Sequence, residues 1–434
     1  MKLKGKNVLV YGLGISGQSA CKLLHEKGAC VSIYDDERRF SNVYSFCPEP
    51  KLKKFDLVVL SPGIKRLGND LVAYFEAMKT PIISELDLGY IFCKGKVIGI
   101  TGTNGKTTVT SLVGEIFKSA GKKTFVCGNI GLPITNIAMK TDRKSFVVCE
   151  VSNFQLESSQ IFKPDEATIL NLAPDHLDRH GSYQEYIRVK RKILSAKRQK
   201  VVLNFDDEGS KMSKIDKKVM FFSKLPLEKG VFVKNNAIYH NKTKIISLND
   251  IPLFGEKNLE NVLASVALAV GYKVKPQIIK KAIINFVAPS HRLEYIGMVN
   301  GAQVFDDSKA TNISATIGAI ESLGDKGLVL MLGGLNKGFL FDEIFNKGYL
   351  FDNLLCFGEA GEEIADCANK YGYVPNIFKS MKDATLYAKQ NALSGQKILL
   401  APACASFDEF SSYAVRGEVF KEIITGEYEK NERG

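Results

Sequence analysis

The chain has 434 residues, of which 45% are apolar and 24% charged. That composition excludes a disordered or fibrous protein and leaves room for about three domains. No apolar run approaches the roughly 18 residues that span a bilayer. The basic start at Lys2 and Lys4 leads into Val8-Leu9-Val10-Tyr11, which breaks at Gly12, so neither membrane insertion nor a secretory leader is expected. Nine scattered cysteines without a C-x-x-C pair predict reduced thiols and a cytoplasmic location.

The net charge of +12 raises nucleic-acid binding as a possibility. Basic residues concentrate between Arg188 and Lys218, including Lys190, Arg191, Lys192, Lys197, Arg198 and Lys200. There is no Trp, no zinc-finger spacing and no RNA-recognition signature. The run therefore reads as the half-basic, solvated face of a helix in a protein that handles anionic metabolites, with no nucleic-acid partner.

In chain order, residues 7–11 read as a strand, Gly12-Leu13-Gly14-Ile15-Ser16-Gly17 as a glycine turn, 18–27 as a helix and 30–34 as a strand ending before Asp35 and Asp36. Such a turn marks a helix N-terminus that accepts phosphate, with a dinucleotide as only one candidate. A strand over 55–60 ends at Ser61-Pro62-Gly63, and a helix over 69–78 and a strand over 81–84 complete the first unit. A strand over 97–100 then runs into Thr101-Gly102-Thr103-Asn104-Gly105-Lys106-Thr107-Thr108 and a helix to 120. This turn aims backbone N–H groups and the helix dipole at one point, where polyphosphate is the usual occupant. Lys106 would reach the terminal phosphates and the Thr107 hydroxyl would hold Mg²⁺. Only two residues separate Gly102 from Gly105, fewer than in the common phosphate loop. Strands near 125–128, 145–149 and 167–170 end at Asn129, Glu150 and Asn171, ahead of Asp175-His176-Leu177-Asp178-Arg179-His180. Ligands gather at such strand ends, and Mg²⁺ would find oxygen there.

Lys200 to Leu203 and the region to 253 read as short strands and polar turns, and Phe254-Gly255-Glu256-Lys257-Asn258 caps an apolar helix to 270, followed by a helix over 275–286. The last unit opens at His291-Arg292. Two strands lead to Asp307-Ser308-Lys309-Ala310-Thr311-Asn312, a helix runs to 323, and strands near 327–332, 353–357 and 397–401 alternate with helices. The pattern predicts an α/β protein of three domains: a Rossmann-like domain over 1–93, a central mononucleotide-binding α/β domain over 94–289, and a second Rossmann-like domain over 290–434.

These stretches, with Gly128-Asn129-Ile130-Gly131, Glu150 to Gln155, Tyr186 to Lys190, Asn258 with Asn261, Gly333-Gly334 with Lys337-Gly338, and Pro402-Ala403-Cys404-Ala405-Ser406, together resemble the Mur ligase family over nearly the whole chain. The short phosphate loop is common to that wider superfamily. The Asp307–Asn312 and Pro402–Ser406 motifs resemble the members that add D-glutamate.

The resemblance implies ATP-dependent formation of an amide between UDP-N-acetylmuramoyl-L-alanine and D-glutamate through an acyl phosphate, in peptidoglycan precursor synthesis. Thr103, Asn104, Gly105, Lys106, Thr107, Thr108, Asn261, Arg292 and Asp307 would bind ATP. Two Mg²⁺ ions are implied, held by Thr107, Glu150, His176 and a carbamylated Lys190. Carbamylation converts a cation that would repel the metal into an anion. Ile15, Ser16, Asp35, Ser61, Gly63, Asn129 and Gln155 would hold the uridine nucleotide substrate. Lys309, Thr311, Lys337, Ser406 and Tyr413 would form the D-glutamate pocket, and Lys106, Glu150, His176, Lys190 and Lys309 are the implied catalytic set.

A monomer whose domains close on the substrates is expected. Lys257, Leu335-Asn336 and Glu37 depart from the family pattern at local contacts. Other amide ligases of this family, folylpolyglutamate synthase included, are the nearest alternatives, and Lys309 weighs against them. A dinucleotide-dependent oxidoreductase would leave the phosphate loop without purpose. A non-catalytic nucleotide sensor would leave Lys106, Glu150, His176 and Lys309 without one.

Overall fold

The computed structural model describes residues 1–197, 199–210, 219–253 and 255–427, with nothing described for the side chains of Leu177 and Asp178. Three twisted sheets carry the chain. The first is parallel throughout, in the order Ser45–Phe46, Cys30–Tyr34, Asn7–Tyr11, Leu57–Leu60, Ile82–Ser84. Its central strands are apolar runs with Val8, Leu9, Val10, Val59 and Leu60 fully buried, as expected of strands covered on both faces. The strand order reverses beside Asn7–Tyr11, so the Gly12 turn and Ser61-Pro62-Gly63 flank a topological switch point, where open α/β sheets bind ligands.

The second sheet has nine strands. Its parallel part runs Val231–Lys234, Val219–Ser223, Lys200–Asn204, Glu166–Ile169, Lys96–Thr101, Phe146–Glu150, Thr124–Gly128. Ala237–His240 and Thr243–Ser247 extend the Val231–Lys234 edge antiparallel. Lys96–Thr101 lies between Phe146–Glu150 and Glu166–Ile169, which places the phosphate loop at this sheet's own switch point. The helix that follows, Lys106–Ser119, buries Val109, Leu112, Val113, Ile116 and Phe117, the three-and-four spacing that makes one apolar stripe.

The third sheet runs Glu294–Val299, Ala302–Asp306, Lys397–Ala403, Leu328–Gly333, Asn353–Phe357, Asn376–Phe378, with only the first pair antiparallel. By contacts the chain forms two compact units. One comprises residues 1–251 and 260–286 and holds the first two sheets; the other comprises 252–259 and 287–434.

Two local expectations change. The first helix is Ile15–Glu26 and begins inside the glycine turn; a Cβ on Gly17 would collide with the Gly12 carbonyl, so Gly17 permits the close approach. The basic run is not one helix. Tyr183–Arg191 is helical, Lys192–Leu194 is a 3-10 turn, and Lys200–Asn204 is a strand with Val201, Val202 and Leu203 buried. β-branched residues in an apolar run favour that strand. Phe254, Arg198 and the 211–218 part of the run, including Lys218, lie outside the described residues.

Candidate functional sites

The phosphate loop is held from below by its neighbours. Thr103 N–H donates to Asn171 O (3.0 Å) and Asn104 N–H to Asn171 Oδ1 (2.9 Å). The Thr103 hydroxyl lies 2.9 Å from the Tyr186 hydroxyl. Gly105, with φ +81°, is the N-cap of Lys106–Ser119, and no side chain caps that helix. Its first-turn N–H groups therefore suit an anion. A Cβ at Gly105 would strike the Asn261 side-chain oxygen, so Asn261 abuts the loop. Thr107 sits half-buried in the first turn and Thr108 is buried.

Two lysines converge on one carbonyl. Lys106 Nζ donates to Gly102 O (3.0 Å) and Thr103 O (2.7 Å), and Lys190 Nζ donates to Gly102 O (2.9 Å). Lys190 is 1% exposed and lies 4.8 Å from the centroid of the Tyr186 ring, one helical turn earlier. Burial drives its pKa well below the ordinary lysine value. Lys106 adds to that shift, while Asp175 and Glu150 oppose it.

Glu150 supplies the metal test. It is 2% exposed; Oε1 accepts from Asn129 Nδ2 (2.9 Å), and Oε2 is buried with no hydrogen-bond partner. An orphaned buried carboxylate oxygen costs free energy unless something else meets it. A hard cation does so, and Glu150 ends the strand paired with the one that feeds the phosphate loop, so its oxygen fits Mg²⁺. His176 has a left-handed backbone (φ +51°) and packs 4.8 Å from the Phe154 ring, with Nε2 3.7 Å from Asp175 Oδ2. His180 is occupied instead by Asn153 (2.7 Å), and burial lowers its pKa.

A second cavity of about 530 Å³ opens at the first sheet's switch point. The structure brings Ile15, Ser16, Asp35, Ser61, Gly63, Asn129 and Gln155 to its lining together. Not all of their polar atoms face it. Asp35 spends its carboxylate on Leu13 N–H (2.6 Å), Glu37 N–H (3.0 Å) and Arg39. Burial raises its pKa, but those amides and the Arg39 charge prevail and hold it below the usual range. The Ser61 hydroxyl donates to Gly12 O (2.6 Å), and Gln155 Oε1 accepts from Ser152 N–H (3.0 Å). These three shape the walls. Gly14 caps Ile15–Glu26 without a side-chain bond, leaving N–H groups for a diphosphate.

In the other unit, Lys309 Nζ stands 3.7 Å from the centroid of the Tyr413 ring. Ala403 N–H donates to Ala310 O (2.9 Å), and Leu335 and Ala405 exchange two backbone bonds (2.9 and 3.0 Å). These ties draw the segments carrying Lys309, Thr311, Lys337 and Ser406 to one end of the sheet. Burial pushes Asp307 up to about 7, with Arg292 pulling it down and Asp306 pushing it up. His291 is buried between Asp306 (2.6 Å from Nδ1) and Glu418 (3.2 Å from Nε2). Asn336, one of the departures, accepts from Phe339 N–H (2.9 Å) and donates to Glu363 (3.0 Å). It braces the Lys337 turn.

Sequence reasoning missed two arginines. Arg39 lines the cavity at the first sheet's switch point and pairs with Glu37 at 2.7 Å; its place four residues past Asp35 was the available signal. Arg416 is fully buried, although a charge in register with Phe420 and Ile423 on one helix face was visible in the sequence.

Residues 100–269 match the Mur ligase middle domain and residues 291–404 the Mur ligase, glutamate ligase domain. The UDP-N-acetylmuramoylalanine–D-glutamate ligase of Thermoanaerobacter sp. (strain X514) is 38% identical, over 98% of this chain and 99% of that protein. The enzyme of the same name from Clostridioides difficile (strain 630) is 37% identical over the same shares. A pseudomurein peptide ligase type C from Methanothermus fervidus superposes with a TM-score of 0.63 at 18% identity, covering 97% of this chain and 100% of that one. MurF ligase from Thermotoga maritima in complex with ADP gives 0.61 at 17%, covering 99% and 96%. Those two likenesses are of fold.

Proposed function

The chain belongs to the Mur ligase family and is an ATP-dependent amide ligase of peptidoglycan synthesis, and we propose that it joins D-glutamate to UDP-N-acetylmuramoyl-L-alanine through an acyl phosphate. The observation that carries the reading is Glu150. One oxygen is tied to Asn129 in the wall of the nucleotide cavity, and the other is buried and unpartnered at the end of the strand beside the phosphate loop. That single side chain links the triphosphate site to the cavity of the carboxylate substrate.

The free carboxylate of the alanine is a poor acylating agent, and phosphorylation supplies a leaving group. Transfer of the γ-phosphoryl group needs in-line positioning and neutralised charge more than covalent help. Lys106 and the open N–H groups at Gly105 cradle the phosphates, and Asn261 closes the loop's adenine side. Mg²⁺, when bound, would supply neutralisation of the charge on the transferring phosphoryl group. Thr107, Glu150 and His176 are its holders, two ions being our reading.

Lys190 acts as a carbamate. Burial lowers its pKa, which favours the neutral amine whose Nζ lone pair attacks the carbon of CO₂; the N–H proton leaves, and the amine becomes a carbamate anion. The nucleotide end of the substrate lies against Ile15, Ser16 and the N–H groups past Gly14. The amine of D-glutamate attacks the acyl carbon and phosphate departs, with Lys309 and Lys337 matching the two carboxylates as cations and Thr311, Ser406 and Tyr413 completing the pocket. Arg292 and Asp307 complete the ATP-binding set of the proposal. No helix among the described residues is long and apolar enough to cross a membrane; a cytoplasmic monomer completes the proposal.

The test is phosphate release from ATP in the presence of UDP-N-acetylmuramoyl-L-alanine, with D-glutamate, L-glutamate, L-alanine or L-lysine as acceptor. D-glutamate alone is expected to support turnover. Turnover with another amino acid and none with D-glutamate would defeat the assignment.

A further inference from the structure

Arg416 lies in the first turn of the helix Tyr413–Thr425, which Ser412 caps by accepting from Val415 N–H. Side chains on a helix lean toward its N-terminus, and the guanidinium accordingly points back past Tyr413 into the loops at the end of the third sheet. It is 0% exposed. Nε donates to Ser308 Oγ (3.0 Å), Nη2 to Ser308 O (2.9 Å) and Cys404 O (3.1 Å), and Nη1 to Ala405 O (3.1 Å). Burial lowers its pKa to about 10, against the pull of Cys404, Asp408 and Asp306, so it remains a cation at neutral pH.

A buried charge met by hydroxyl and carbonyl oxygens costs desolvation that an apolar side chain of similar volume would avoid. What the arginine provides is a fixed fork of donors, which a point-charge lysine lacks. Each tine holds a segment of the amino-acid site. Ser308 stands between Asp307 and Lys309, and its Oγ donates onward to Tyr413 O (2.8 Å). Ala405 precedes Ser406, and its carbonyl also accepts from Leu335 N–H, two residues before Lys337. A Cβ on Gly334 would meet Arg416 Nη1 at 2.9 Å, so the turn before Lys337 packs directly on the guanidinium.

We infer that Arg416 is a positioning residue for the acceptor amino acid, setting the spacing of Lys309, Lys337, Ser406 and Tyr413 without touching the substrate. The inference rests on the D-glutamate reading of that pocket. Its signature is selective: the amino-acid site loses affinity while both nucleotide sites keep theirs, because Arg416 bonds Ser308, Cys404 and Ala405 and no side chain assigned to a nucleotide, Asp307 included.

The experiment measures kcat and three KM values, for D-glutamate, ATP and UDP-N-acetylmuramoyl-L-alanine, in Arg416→Met, Arg416→Lys and Ser308→Ala, with a thermal melt of each. A 1 Å misplacement of binding groups costs up to about 10²-fold. Arg416→Met is expected to raise the D-glutamate KM by about ten-fold or more, with the other KM values within about two-fold. Arg416→Lys should recover part of the loss. Ser308→Ala, which removes one acceptor, should raise the same KM about three-fold, and it carries the test if Arg416→Met fails to fold. Equal rises in all three KM values, a loss confined to kcat, or an unchanged D-glutamate KM in a folded variant would overturn the inference. Failure of the pocket reading is separable: the unaltered enzyme would then reject D-glutamate, and the variants would be compared on the acceptor it uses.

Discussion

The two glycine turns at Gly12–Gly17 and Gly102–Gly105 are built on one plan and equipped differently. Each follows a buried parallel strand, each sits where strand order reverses, and each opens onto a helix whose N-terminus no side chain caps. Around the second turn stand two lysines and a buried carboxylate with one unpartnered oxygen. Around the first, the acid side chain is already satisfied by backbone, and the one cation, Arg39, is half-exposed and paired with Glu37. Backbone geometry makes a phosphate-tolerant site; in the proposed reaction the added charges turn the second into one that moves a phosphoryl group. The contrast extends to a second buried acid. Glu85, like Glu150, has one unpartnered oxygen, but its other oxygen accepts from Thr135 N–H (3.1 Å) and Oγ1 (2.6 Å), and burial pushes its pKa up to about 7. It joins helices of the two sheets through Thr135 and Ser19 (2.8 Å) and lies outside the chemistry.

The comparison breaks most visibly at Glu150. Glu150→Gln keeps the Asn129 contact and removes the charge, and should lower kcat roughly 10³-fold while leaving the KM for the uridine substrate within a few-fold; steady-state phosphate release reads both. Lys190→Ala should fall about 10²-fold and recover in part with formate or acetate, which replace the missing anion. Full activity without rescue would remove Lys190 from the site. At the first turn the effect is smaller and of another kind. Ser61→Ala loses the bond to Gly12 O, worth about 1 kcal/mol, and should raise the uridine-substrate KM about five-fold with kcat unchanged.

Glu85→Gln should leave kcat alone and alter stability. The folded state holds the Glu85 proton up to about pH 7, well above its release from the unfolded chain. Stability from this group is therefore fully present below the ordinary glutamate range and is lost as pH rises toward 7 and beyond. The loss is on the order of 3 kcal/mol. The variant's melting temperature should fall less than that of the unaltered protein between pH 5 and pH 8.

The phosphate loop was legible because its geometry is local: eight consecutive residues fix the strand end, the two glycine conformations and the helix start. Lys190 was harder. Lys190, Arg191 and Lys192 are equivalent as composition, and only the phase of the helix against its packing buries the first, four residues after Tyr186. The charge of the basic run pointed to a helix face, which holds only as far as Arg191, whereas the apolar Val201-Val202-Leu203 within it pointed to a strand, and a strand is what forms. Asp35 does line the cavity beside the Gly12 turn, but which groups its carboxylate satisfies depends on how the chain folds back over residues 37–39. Arg416 went unnoticed although it is a charge on an apolar stripe, and its acceptor at Ser308 is 108 residues away, beyond any local pattern. The sheets themselves followed from alternating strands and helices. Their grouping into two compact units, with residues 252–259 joining the second, depends on packing that the pattern does not encode.

The central claim, that the Gly102–Gly105 site phosphorylates the carboxylate held by the other cavity, is tested most directly by isotope transfer. UDP-N-acetylmuramoyl-L-alanine carrying ¹⁸O in its alanine carboxylate is turned over with ATP and D-glutamate, and the released phosphate is weighed by mass spectrometry. An acyl phosphate delivers one carboxylate oxygen to each phosphate when the amine displaces it, so singly labelled phosphate is predicted. Unlabelled phosphate would mean that the carboxylate was never phosphorylated, and would contradict the account.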